Sequence, residues 1–102
     1  MKVLHLISGG DSGGAKTHVL SLLKNLNRQI QAELVCYTHG DFADEAMELG
    51  IPTTVFSGSF SEALRQTQEK ISAEGFDIVH CHGSRANFTG ALLKRRFDIP
   101  FI

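Results

Sequence analysis

A chain of 102 residues is the length of one small domain, and its 42% apolar and 21% charged content excludes a disordered or fibrous polypeptide. Ten basic against eleven acidic residues leave a formal charge of −1, so there is no general attraction to nucleic acid. No apolar run reaches the ~18–20 residues of a membrane span, and Met1 to Ile7 is too short for a signal-peptide core, which points to a cytoplasmic protein. Two cysteines, Cys36 and Cys81, are too few for a disulfide framework and lie in apolar runs, as buried reduced thiols do.

Lys2 to Ser8 has almost no polar alternation and reads as a strand buried on both faces. A glycine-rich turn follows. Ala15, Val19, Leu22, Leu23 and Leu26 then fall on one face of a helix from about Gly14 to Asn27. Ala32 to Thr38 is a second strand, and Asp41 is placed to cap a short helix that ends before Gly50. Ile51 to Phe56 is a third strand with Pro52 near its start.

Ser59 and Glu62 have capping-box spacing, and Phe60, Ala63, Leu64, Thr67 and Ile71 make the stripe of a helix ending near Gly75. Asp77 to His82 is a fourth strand. Ser84 is placed to cap a helix carrying Phe88, Ala91 and Leu92, whose last turn, Lys94-Arg95-Arg96, suits the negative end of the helix dipole. Ile99 to Ile102 begins a fifth strand. Alternating strands and helices imply an α/β fold with a doubly wound parallel sheet, Rossmann-like, in the order 3-2-1-4-5. In that order strands 1 and 4 are neighbours and a crevice opens at their carboxyl ends.

The two most unusual segments leave those strands. Gly9, Gly10, Gly13 and Gly14 fall within six residues and let the backbone approach a ligand, while free amides at a helix start favour phosphate. Lys16 and Thr17 add a cation and a hydroxyl. Gly10 to Thr17 comes near the phosphate-loop pattern, with Ala15 in place of the second glycine, so a nucleotide- or phosphate-binding module is the alternative function. No strand ends in the magnesium-binding Asp such a loop normally pairs with. A flavodoxin-like interaction domain without a small ligand is a third reading.

On a strand, His80 and His82 share one face and Cys81 takes the other, which makes a metal site of those three poor geometry. Strand 2 lies two spacings from strand 4, about 9.6 Å, too far for Cys36 to complete that site or to form a disulfide with Cys81. No metal is expected. His82, at the strand end before Gly83, is the functional candidate at the crevice floor. His80, deeper in the strand, reads as a hydrogen-bonded core residue, and His5, in the middle of strand 1, as structural. His39 is open between lining the acceptor side and a solvated loop, and His18 lies at the flank of the first helix's stripe.

Met1-Lys2-Val3-Leu4-His5-Leu6, the following glycines and Gly13-Gly14-Ala15 opening a helix resemble the start of family-4 glycosyltransferases. Glu48-Leu49-Gly50-Ile51-Pro52 resembles their entry to strand 3, and Phe76 to Gly83 resembles their D-[IV]-[IV]-H-x-H strand. Asn87 to Leu93 and Ile99-Pro100 resemble the next helix and strand, so the likeness runs through the whole chain in register. It implies one half of a GT-B architecture: residues 1–102 as part of an amino-terminal Rossmann-like domain, with the nucleotide-sugar domain absent.

The implied activity is retaining transfer of a sugar from a nucleotide-sugar to a glycan or lipid-linked acceptor, in bacterial cell-envelope polysaccharide synthesis. The nucleotide-sugar is a substrate, and no cofactor or metal is implied. The resemblance carries donor-phosphate or acceptor contacts to Gly9, Gly10, Gly13, Gly14, Lys16 and Thr17, and contact with the transferred sugar to His82, the implied catalytic residue. It further implies that this chain is inactive alone. Lys94-Arg95-Arg96 could touch an anionic membrane at its inner face, and an uncovered sheet edge would favour dimers.

Overall fold

The computed structural model describes residues 1–9, 20, 21, 23 and 30–102. Four parallel strands, β1 (Lys2–Ile7), β2 (Gln31–Cys36), β3 (Thr53–Val55) and β4 (Ile78–His82), form a sheet in the order β3-β2-β1-β4. Among the described residues the helices are α1 (Asp41–Glu48), α2 (Phe60–Glu74) and α3 (Ser84–Leu93), and a 3-10 turn, Lys94–Arg96, follows. Leu20, Ser21 and Leu23 are helical, within the span where the apolar stripe predicts the first helix. The doubly wound order holds for the four strands. The fifth is reduced to one parallel bridge between Val79 and Phe101, beside β4 as expected.

Both faces of the sheet are covered, which is why the strands lack polar alternation. Leu4, Leu6, Val35 and Val79 pack with Ala63 and Ile71 of α2 and Ala86 and Leu93 of α3. Ile7, Leu34 and Cys36 pack on the other side with Leu20, Leu23 and the α1 residues Phe42, Ala43 and Ala46. Burying each Leu, Ile or Val side chain stabilises the fold by about 1.5–3 kcal/mol. Cys36 belongs to one face and Cys81 to the other, and both are free.

Several local expectations are met and others corrected. Ser59 caps α2, its Oγ accepting from the Glu62 N–H at 3.3 Å. The return half of the capping box is not made, because the Glu62 carboxylate pairs with Arg65 one turn on. Gly50 follows the end of α1 with φ of +80°. Asp41 and Ser84 are first helical residues instead of caps: Gly40 and Gly83 occupy the cap positions, with no side-chain cap. β3 starts at Thr53 because Pro52 has no N–H for the ladder and contributes only its carbonyl, which accepts from Leu34.

The buried face of α3 also differs. Phe88 and Leu92 are exposed, whereas Ala86, Thr89, Gly90 and Leu93 are buried. The helix lies so close to β4 that a Cβ on Gly90 would stand 2.5 Å from the Cys81 Sγ. Small residues therefore face the sheet and the large ones turn outward. Lys94, Arg95 and Arg96 form a 3-10 turn instead of extending the α-helix.

The amino-terminal edge of the sheet is closed by charge. Lys70 Nζ reaches Glu33 at 3.1 Å and Glu74 at 2.6 Å, and Lys2 Nζ lies 3.4 Å from Glu33. The Lys2 N–H donates to Asp77 at 2.7 Å. The carboxyl edge carries histidines.

Candidate functional site

β1 and β4 pair in parallel from Val3↔Ile78 to Ile7↔His82. The two chain exits therefore start side by side, through Ser8 and Gly9 after β1 and through Gly83 after β4. Gly9 has φ of +83°, and a Cβ there would come within 3.3 Å of Cys36 Cβ and 3.4 Å of the Thr38 carbonyl oxygen. Only glycine meets both conditions without strain. Gly10, Gly13, Gly14, Lys16 and Thr17, the other expected ligand-binding residues, lie outside the described residues, as does His18.

His82 does not stand alone. His5 is paired in register with His80 on β4, and His82 is two residues further on, so period-two alternation puts all three imidazoles on one face. His5 Nδ1 lies 3.0 Å from His82 Nε2, one ring donating to the other. The His80 and His82 ring centroids are 4.0 Å apart, and those of His5 are 5.3 Å from His80 and 5.2 Å from His82. One ring nitrogen from each lies within 4.8 Å of the other two. Among the described residues no carboxylate or thiol joins the group.

The three differ in exposure. His5 is buried, while His80 and His82 are half-buried. Burial first, then the neighbouring charges of His82 and His80, push the His5 pKa down to about 4, so it is neutral at ordinary pH. Its Nε2 is buried with no hydrogen-bond partner. His5 is buried, as its place in the middle of β1 predicts, whereas His80, read as a core residue, is only half-buried. His39 is exposed and outside it.

Beside the site, the end of β2 is fixed by Tyr37, whose Oη lies 2.9 Å from Thr67 Oγ1. That threonine hydroxyl donates to the Ala63 carbonyl at 2.8 Å, so Tyr37 is the donor to Thr67. Burial raises the Tyr37 pKa to about 12 and keeps the phenol protonated. Arg85, in the first turn of α3, lies 5.6 Å from the Tyr37 ring centroid. The carboxyl edge thus presents three imidazoles, a phenol locked into the core and an exposed cation. It can exchange hydrogen bonds with hydroxyl-rich or anionic ligands.

The model of glycosyltransferase family 4 matches residues 12–102. The chain belongs to that family. Solved structures of HepE from Anabaena share the fold of this chain. Its complex with UDP and glucose is similar at a TM-score of 0.79 and 22% identity, over 99% of this chain. The complexes with UDP and with UDP-glucose both give a TM-score of 0.82, at 21% and 20% identity. This family-4 chain spans 28% of the length of those proteins. A comparison with curated proteins returns no significant match.

Proposed function

We propose that this family-4 chain is the acceptor-side, amino-terminal part of a retaining glycosyltransferase that moves a sugar from a nucleotide-sugar to a glycan or lipid-linked acceptor. The observation that carries the reading is the pairing of Ile7 with His82, which starts the exits of β1 and β4 side by side. His82 contacts the transferred sugar. Gly9, Gly10, Gly13 and Gly14, with Lys16 and Thr17, approach the donor phosphates or the acceptor. The complexes of HepE with UDP and UDP-glucose support a nucleotide-sugar as the donor class.

In this reading the carboxyl-terminal domain holds most of the donor, and the chain alone does not turn over. Neither donor binding nor transfer requires a bound metal. The enzyme works in the bacterial cytoplasm at the inner face of the membrane on cell-envelope polysaccharide, with the exposed Lys94–Arg96 turn against anionic lipid. An uncovered strand edge favours self-association of the chain.

Calorimetric titration with UDP-glucose and UDP tests this, with free UDP followed in the same samples. Weak binding that His82→Ala reduces, without UDP release, is the expected result. Binding indifferent to His82→Ala, or multiple turnovers by the chain alone, contradicts it.

A further inference from the structure

Sugar transfer leaves unexplained why three imidazoles converge on one face of the sheet. We propose that His5, His80 and His82 form a capture site for a single divalent transition-metal ion, zinc being the best fit, with the fourth position left to solvent. The site shares His82 with the sugar-transfer reading, but its test reads metal binding and not transfer.

The donor set is the first argument. Three imidazole nitrogen ligands without a carboxylate suit zinc, copper or nickel and not the oxygen-seeking magnesium or calcium. Zinc sites of three protein ligands characteristically keep one open position. Here the buried His5 closes the site from the core side, and the half-buried His80 and His82 leave the other side to water.

Distance is the second argument. Zinc–nitrogen bonds of about 2.0–2.1 Å in a tetrahedron place neighbouring ligand nitrogens about 3.3 Å apart. The His5 Nδ1 to His82 Nε2 separation of 3.0 Å already has the length of one such edge. The three ligand atoms are within 4.8 Å of one another, so closing the set requires the nitrogens to move by at most about 1.5 Å. Side-chain rotation of His80 and His82 supplies this, because neither is fully packed.

The test is titration of the untagged, metal-stripped, thiol-reduced chain with cobalt(II) and then zinc(II). The expected result is one ion per chain, with the visible bands of tetrahedral cobalt and without thiolate charge-transfer absorption. His80→Gln, at a half-buried position, should weaken binding about tenfold or more, whereas His39→Gln and Cys81→Ser should not. X-ray absorption of the zinc-loaded natural chain should count three imidazole ligands, a readout independent of how the variants fold. Absence of one-to-one binding, thiolate ligation, fewer than three imidazoles or indifference to His80→Gln each overturns the proposal.

Discussion

The Nδ1 of His5 and the Nε2 of His82 face each other at 3.0 Å across the seam between β1 and β4. That contact ties a residue buried in the middle of β1 to the last residue of β4, at the mouth of the crevice. A change in His82, through substitution, protonation or ligation, therefore removes or redirects a hydrogen bond inside the sheet.

Protonation gives the first prediction. The folded-state pKa of His5 is about 4, below its ordinary 6.5, so on acidification the unfolded chain takes up the proton first. The stabilising contribution is complete above pH 6.5 and is lost as the pH falls toward 4. Between pH 6.5 and 5, where carboxylates remain charged, the loss is at most about 2 kcal/mol at 1.36 kcal/mol per pKa unit. Urea unfolding with a chelator present, compared with His5→Gln, measures this: the variant should lose much of the slope and His39→Gln should keep it.

Gly90→Ala tests the close approach of α3 to β4. The added methyl meets Cys81 Sγ at 2.5 Å, and overpacking of this kind costs about 1–3 kcal/mol. Chemical denaturation should show that loss in the single variant and recover part of it in Gly90→Ala combined with Cys81→Ala. An unchanged midpoint for Gly90→Ala would contradict the packing described.

The Tyr37–Thr67 pair should respond asymmetrically. Tyr37→Phe removes a donor from Thr67, whose hydroxyl keeps its bond to Ala63, at a cost of about 1 kcal/mol. Thr67→Val leaves a buried phenol hydroxyl without its acceptor and should cost about 1–3 kcal/mol. Equilibrium unfolding of both variants decides the order, and a larger loss for Tyr37→Phe would reverse the assigned donor.

Gly9→Ala should destabilise by about 1–2 kcal/mol, the cost of a left-handed backbone with a Cβ. The contacts with Cys36 and Thr38 add to it. Thermal unfolding measures the effect. Gly58→Ala, which would meet only ordinary contacts with the Glu62 side chain, is the control and should change little.

The strand order was legible because every apolar run was followed by an amphipathic stretch, and β1 and β4 fell together as that order requires. The Ser59 cap and the turn at Gly50 were legible from single residues. The face of α3 was not. Phe88 and Leu92 are the larger apolar residues, but the close approach at Cys81 selects Gly90 and Ala86 for the buried side. The histidine cluster was half legible: the spacing of His80 and His82 put both on one face. Joining His5 to them required the register of β1 on β4, which neighbouring strands do not specify by themselves.

The central claim is that the crevice at the carboxyl ends of β1 and β4 receives the nucleotide-sugar. Backbone amide NMR of the labelled chain during addition of UDP-glucose tests it most directly. The account predicts shifts at Gly9, His82 and Gly83 that grow with ligand, and none at Lys2, Glu33, Lys70 and Glu74 on the opposite edge. Shifts centred on that opposite edge, or no response at Gly9, His82 and Gly83 at saturating ligand, would contradict it.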